Sequence, residues 1–310
     1  MKILVTGSEG TLGKPLCEEL KSRGHDLVRV DIRHEPDRYD SFVRADIGLF
    51  RQVRRVFIEH PDIELVYNLA AEFGRNNGEE YYENLWRSNA VGLKNILHLQ
   101  REFGFRLIHA SSSEVYGELK HNGGEPVLES ITEDIPLFHM NDYAMSKWVN
   151  EQQIRNEMAR HKSEIMTLRF FNAYGPGEYY NNYRSVVCLF VYRALMGMPF
   201  DVSEGHHRVF MYVDDVIPTV ANAAERFMTG MIFNIGGKEY RSVEDLADIV
   251  VRETGCSPDL ARRVGAEEFC VLNKRADIEM ARVYLGHDPE VGLEEGVART
   301  VEWMKQVYGI

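Results

Sequence analysis

The chain has 310 residues, 44 % of them hydrophobic, and a formal net charge of −12. This suits one to two domains with a large core, and the negative charge argues against nucleic acid and membrane surfaces as partners. Cys17, Cys188, Cys256 and Cys270 have neither metal-ligand nor disulfide spacing, the opening apolar run is too short for a signal peptide, and no segment approaches a membrane span, so a cytoplasmic protein without a metal is expected.

Through the first half, short apolar runs alternate with longer amphipathic ones. Ile3–Thr6, Leu27–Ile32, Leu65–Ala70 and Arg106–Ala110 read as buried strands, and Ile165–Phe171 as a further one. Leu12–Ser22, Leu49–His60, Glu79–Glu102 and Tyr143–His161 read as the helices between them. This alternation predicts an α/β fold with a Rossmann-type, doubly wound parallel sheet. After Asn172 the pattern changes. Gly175-Pro176-Gly177 breaks the chain, and a Tyr/Asn-rich loop follows (Tyr179–Tyr183). Then come a helix (Ser185–Met196), a strand near Val209–Val213, a helix from Asp214 and another capped by Ser242. The expected organisation is a Rossmann domain over 1–172 and a smaller α/β substrate-binding lobe over 173–310 that grows out of it.

Gly7, Gly10 and Gly13 follow the first strand and open the first helix. Gly7 permits the tight turn, Gly10 lets backbone approach a pyrophosphate, and Gly13 allows close helix packing, with the helix N-terminus toward the phosphates. Thr11 and Leu12 lie within this turn. Asp31 ends the second strand, where a carboxylate accepts hydrogen bonds from ribose hydroxyls and repels a 2′-phosphate, which favours NAD over NADP. Ile32 and Arg33 come next, and Arg33 would tolerate a 2′-phosphate.

Tyr143 and Lys147 are four residues apart on one helix and share a face. A tyrosine titrates near ~10, and a neighbouring ammonium is expected to lower that value and make a phenolate base. Ser111-Ser112-Ser113-Glu114 sits at the end of the Arg106–Ala110 strand, where ligand sites of such sheets gather. Ser112 would hold a reacting oxygen, with Ser113 beside it, and Glu114 would be an additional base.

Together, Thr6-Gly7…Gly10…Gly13, Asn68-Leu69-Ala70-Ala71, Ser112-Ser113-Glu114-Val115-Tyr116-Gly117, Tyr143-Ala144-Met145-Ser146-Lys147 and Arg169–Gly177 resemble the extended short-chain dehydrogenase/reductases. More narrowly, the resemblance is to the NAD-dependent nucleotide-sugar epimerases and dehydratases. It continues through Arg208–Asp215 to Leu293-Glu294-Glu295-Gly296. The resemblance implies that Tyr143 removes the C4 hydroxyl proton of a nucleotide-diphosphate sugar, with Lys147 beside it and Ser112 on the oxygen. NAD takes up the C4 hydride and later returns it. Asp46 and Ile47 would contact adenine, Leu69, Ala70, Ala71 and Asn89 would line the cofactor, and Asn172 and Arg208 would contact the nucleotide sugar. Glu72, Arg75, Ser113, Arg184 and Arg275 are further substrate-side candidates. The resemblance also implies a homodimer built on the helices Glu79–Glu102 and Tyr143–His161, with Trp148, Val149 and Ile154 as apolar surface.

Members of this family oxidise C4 and differ in the fate of the resulting ketone. Ser113-Glu114 resembles the 4,6-dehydratases of the GDP-mannose type and the glucuronate decarboxylases. The Arg-x-x-Asp element of the decarboxylases is met by Lys274-Arg275-Ala276-Asp277, with Lys first, and the two cations are not equivalent for bidentate carboxylate binding. The expected order is 4,6-dehydratase, then 4-epimerase, then decarboxylase. A nucleotide-sensing regulator without chemistry is the alternative from another class, and the presence of Tyr143, Lys147 and Ser112 together argues against it.

Overall fold

The computed structural model describes all residues except 34–40, 118–129, 136, 138 and 267–269. Its large sheet takes six strands from the first half: β1 (Lys2–Thr6), β2 (Asp26–Asp31), β3 (Phe42–Arg44), β4 (Leu65–Asn68), β5 (Arg106–Ser112) and β6 (Ile165–Phe170). The second half supplies β7 (Ala173–Tyr174), β8 (Phe200–Ser203), β9 (His207–Tyr212), β10 (Ile232–Ile235), β11 (Glu239–Ser242), β12 (Ala261–Val264) and β13 (Asn273–Lys274). The large sheet runs β10-β6-β5-β4-β1-β2-β3, and every pairing in it is parallel. Strand order reverses beside β1. The crevice outside the carboxyl ends of β1 and β4 is therefore where such a fold places its ligand.

Helices cover both faces of the sheet: α1 (Gly13–Ser22), α2 (Phe50–Glu59), α3 (Arg75–Glu80), α4 (Tyr82–Trp86), α5 (Gly92–Phe103) and α6 (Asp142–His161). Ile3 to Val5 and Leu65 to Tyr67 are accordingly fully buried, which is why these strands read as continuous apolar runs and not as alternations. α1 turns Leu16, Cys17 and Leu20 onto the sheet, α2 turns Val53, Val56 and Phe57 onto the other face, and each such side chain contributes about 1.5–3 kcal/mol by burial.

The second half adds α7 (Val186–Leu195), α8 (Val213–Glu225), α9 (Val243–Thr254), α10 (Glu279–Leu285) and α11 (Leu293–Tyr308). Two of its elements return to the first lobe. β10 pairs with β6, and α8 packs Val216 and Val220 into the same core as Leu16 and Leu20. The two lobes are therefore interleaved across Asn172. The rest of the second half has its own core around α7, α9 and α11, and β9 pairs with β11, β13 and β7. Ser242 caps α9 in a reciprocal box with Asp245.

Several expectations are corrected. Leu69 and Ala70 lie beyond β4 because their N–H groups turn back to Thr6, at 3.3 Å to its carbonyl and 3.2 Å to its hydroxyl. Ile32 lies past β2, exposed. The single helix expected over Glu79–Glu102 is four pieces: α3 and α4 broken at Tyr81 (φ −122°, ψ 47°), a π-helical turn over Arg87–Val91, and α5. Of the apolar residues offered for pairing two copies, Ile154 belongs to the core and Trp148 packs on the buried cluster of Val115, Tyr116 and Phe171. Among the described residues no helix is long and apolar enough to cross a membrane.

Candidate active site

A cleft of about 710 Å³ opens at the carboxyl ends of β1 and β4. It takes in the glycine turn, the end of β2, the end of β5 and the start of α6, so segments far apart in sequence line one cavity. Thr11, Leu12, Ile32, Arg33, Asp46, Ile47, Leu69, Ala70 and Ala71, the residues proposed from the sequence for the cofactor, line it.

The turn after β1 demands glycine. Gly7 has φ +70°, and a Cβ there would meet Ala70 N at 2.8 Å. A Cβ on Gly13 would lie 2.0 Å from the Gly7 carbonyl oxygen, so no side chain fits between turn and helix. No side chain caps α1; Lys14 N–H bonds the Gly10 carbonyl at 3.1 Å and Pro15 has no N–H, so what the start of the helix offers a ligand is the Gly13 N–H and the positive end of its dipole. The Asp31 carboxylate is buried and accepts from the backbone N–H groups of Glu9 and Arg33, each at 2.9 Å. A bare glycine cradle at a helix N-terminus, followed by a fixed carboxylate at the end of β2, fits a dinucleotide.

Tyr143 and Lys147 both line the cleft. The Ser112 side chain lies beside the Tyr143 hydroxyl and favours its ionised form, and Ser112 Oγ accepts from Glu114 N–H at 3.2 Å, closing the turn after β5. The expected effect of Lys147 on Tyr143 is corrected. The ammonium donates to the Ala110 carbonyl at 2.9 Å and stands 5.9 Å from the centre of the phenol ring. Burial pushes the phenol up to about 12, with the Ser112 side chain lowering it and the Glu114 charge raising it. Burial also brings Lys147 down to about 8, opposed by Glu151.

Glu151 lies one turn beyond Lys147 on α6. Its carboxylate accepts the Ser111 hydroxyl at 2.6 Å and two guanidinium N–H groups of Arg169 at 2.9 and 2.6 Å. Arg169 also donates to the Tyr116 hydroxyl at 2.7 Å, and that hydroxyl donates to Asn234 on β10 at 2.6 Å. These buried groups brace the floor of the cleft, and the sequence reading missed all but the motif letters they occupy.

Glu114 lines the cleft but is not free. The Lys274 ammonium, almost wholly buried on β13, donates to its Oε1 and forms an ion pair with it. Burial alone would raise the Glu114 carboxyl. The adjacent Lys274 charge, with Arg208 and Arg75 behind it, outweighs burial and holds the carboxyl below its usual range.

Three other candidates do not line the cleft. Asn89 is buried in the π-helical turn, accepting from Glu72 N–H at 2.9 Å and donating to the Glu72 carbonyl and the Ser146 hydroxyl. It holds the cleft wall in place. Arg208 is tied to the carbonyls of His207 and Leu272 at 2.9 and 2.8 Å. Arg275 sits over the Tyr240 ring at 6.0 Å. The remaining substrate-side candidates, Glu72, Arg75, Ser113, Asn172 and Arg184, do line it. Phe73 and Arg184 meet there, guanidinium over ring at 4.6 Å. Glu178 opens the segment that ends in Arg184. It lines the same wall, buried, holding the start of α7 through Ser185 N–H at 2.8 Å and the Ser185 hydroxyl at 2.6 Å.

The sequence profile of the NAD dependent epimerase/dehydratase family matches residues 3–236. A putative UDP-glucose 4-epimerase of Methanocaldococcus jannaschii is 28 % identical, covering 98 % of each chain. A UDP-N-acetyl-alpha-D-glucosaminuronate decarboxylase of Bacillus cytotoxicus is 27 % identical over 99 % of this chain and 98 % of that one. Among solved structures, the NAD complex of Thermus thermophilus UDP-glucose 4-epimerase superposes with a TM-score of 0.86 at 26 % identity, covering 98 % of this chain and 99 % of that chain. MoeE5 in complex with UDP-glucuronic acid and NAD gives a TM-score of 0.87 at 26 % identity, covering 99 % and 100 %.

Proposed function

This chain belongs to the NAD-dependent epimerase/dehydratase family, and we propose that within it the chain is a nucleotide-sugar 4-epimerase. NAD, when bound, supplies reversible hydride acceptance at C4. The glycine turn and the start of α1 would hold its pyrophosphate, and Asp31 its adenosine ribose. Tyr143 is the base for the C4 hydroxyl proton, Ser112 holds the sugar oxygen, and Lys147 lines the same cleft one turn further along α6. Glu72, Arg75, Ser113, Asn172 and Arg184 form the substrate wall.

The observation that carries the choice of reaction is the Glu114–Lys274 pair. A 4,6-dehydratase needs a carboxylate free to take the C5 proton, and here that carboxylate is neutralised and made a weaker base. Epimerisation needs only the C4 proton and hydride, with the ketone turning over between oxidation and return. The likeness to UDP-glucose 4-epimerases supports the same reading.

Decarboxylation is the second reading. Lys274, Arg208 and Arg75 surround one carboxylate, so the sugar end carries surplus positive charge that a substrate carboxylate would balance. The test is mass spectrometry of products from UDP-glucose, UDP-galactose and UDP-glucuronate in the presence of NAD. An inverted C4 centre at unchanged mass supports the epimerase. Loss of carbon dioxide from UDP-glucuronate establishes the second reading, and loss of water restores the dehydratase.

A further inference from the structure

We infer that Lys274 is a specificity-determining residue: by pairing with Glu114 it withholds that carboxylate from C5 of the substrate and confines the chemistry to C4. The inference rests on the C4 oxidation proposed above.

Lys274 reaches the cleft from the other lobe. It lies on β13, paired with Arg208 of β9, and is 1 % exposed. Glu114 stands 160 positions earlier, in the turn after β5, with about a quarter of its side chain exposed and lining the cleft. An ammonium so deeply buried is costly to place, and the carboxylate that compensates it is Glu114. What it accomplishes is to occupy Glu114 Oε1. Separating a buried pair leaves both charges uncompensated, so Glu114 does not swing free during turnover. Among the described residues, the charged and titratable groups facing Glu114 come from four elements: Lys274 on β13, Arg208 on β9, Arg75 on α3 and Tyr143 on α6. Three are cations, and all three oppose proton uptake by the carboxylate.

Restraint is needed because the ketone at C4 acidifies the hydrogen on C5. A free Glu114 carboxylate would accept that proton. The C5–H bond would break, its electron pair would pass into the enolate on the C4 oxygen, and an O–H bond would form on Glu114. Exchange of that proton with solvent and return to C5 would scramble the centre or open the way to elimination. Lys274 closes this branch by occupying the acceptor oxygen and lowering its basicity.

The experiment uses the full chain with NAD and UDP-glucose in deuterated water, reading deuterium at C5 per inversion at C4 by NMR. Four proteins are compared: wild type, Lys274→Met, Lys274→Arg, and Lys274→Met combined with Glu114→Gln. Wild type and Lys274→Arg are expected to show background C5 label. Lys274→Met should raise the ratio at least about tenfold, given the usual worth of a positioned base, and the double variant should return it to background. Unlabelled C5 in a Lys274→Met protein that inverts C4 overturns the inference, and so does C5 exchange by wild type. A second measurement needs neither turnover nor Lys274→Met. The ¹³C resonance of the Glu114 carboxyl, assigned through Glu114→Gln, is titrated in ligand-free wild type and Lys274→Gln. Its titration should move upward without Lys274, and an unmoved titration overturns the inference. Loss of water by wild type requires the C5 proton to leave and overturns this inference together with the epimerase reading; loss of carbon dioxide from UDP-glucuronate contradicts the epimerase reading alone, and the carboxyl titration then decides this one.

Discussion

Glu151 on α6 and Arg169 on β6 are joined by two hydrogen bonds of 2.9 and 2.6 Å, and both side chains are all but excluded from water. The pair ties α6 to the sheet beneath the cleft, and the Ser111 hydroxyl adds a third bond to the same carboxylate. Removing one partner of a buried pair strands the other charge. Arg169→Met should therefore destabilise the chain by about 3–5 kcal/mol. Denaturant titration checks this, and a loss below about 1 kcal/mol would show that the pair does not brace the fold.

Tyr143→Phe should cost about 10² to 10⁴-fold in turnover. NAD binding should change little, because the glycine turn and Asp31 lie apart from the phenol. Calorimetric NAD affinity measured beside the rate separates the two effects. Near-normal turnover by the folded variant removes Tyr143 from the proposed mechanism.

Lys147 carries a stability cost whose pH dependence has a definite sign. Its folded value is about 8 against 10.5 for an ordinary lysine, burial being the main cause. Below pH 8 the ammonium is charged in both states, and the folded chain bears the full cost, about 2–4 kcal/mol. Between about 8 and 10.5 the unfolded chain binds more protons, so this cost is relieved as pH rises. Lys147→Met should therefore raise the melting temperature at pH 7 by a few degrees while losing turnover, with the gain shrinking toward pH 10. A gain that is absent at pH 7, or that grows with pH, would falsify this account of the buried lysine.

The proposed selection of NAD over NADP rests on Asp31. Its oxygens are held by Glu9 and Arg33 N–H groups, and hydrogen bonds to charged groups are worth about 1.5–3 kcal/mol. Asp31→Ala should weaken NAD roughly tenfold or more and narrow its advantage over NADP, for which Arg33 at the cleft becomes a phosphate partner. Competitive binding of the two dinucleotides to both proteins measures the change. Tighter NADP binding by the unaltered chain contradicts the assignment.

The glycine turn was legible because backbone sterics at Gly7 and Gly13 admit no other residue, and steric demands leave a mark in sequence. Tyr143 and Lys147 were legible because helical spacing alone puts them on one face. β10 was not: Ile232–Ile235 is a four-residue apolar run whose place depends on pairing with β6, a contact local pattern does not encode. The long helix over Glu79–Glu102 failed for a related reason, since its apolar periodicity continues across the break at Tyr81 and the π-helical turn. Arg208 reads in the sequence as a cation for the substrate, but its guanidinium is spent on backbone carbonyls. Glu114 reads as a free base because its partner stands 160 positions away. Lys274 stands out in the sequence only as a departure from an arginine pattern. Asking where a buried lysine finds its counter-charge would have pointed to it.

The central claim is that C4 is oxidised and re-reduced within one active site, with inversion and nothing lost. The most direct measurement uses UDP-glucose carrying deuterium at C4, converted with unlabelled NAD in ordinary water and analysed by NMR and mass spectrometry. The account predicts the C4-inverted sugar with the deuterium still on C4 and the mass unchanged. Deuterium moved to another carbon, or a product lighter by water, would contradict it.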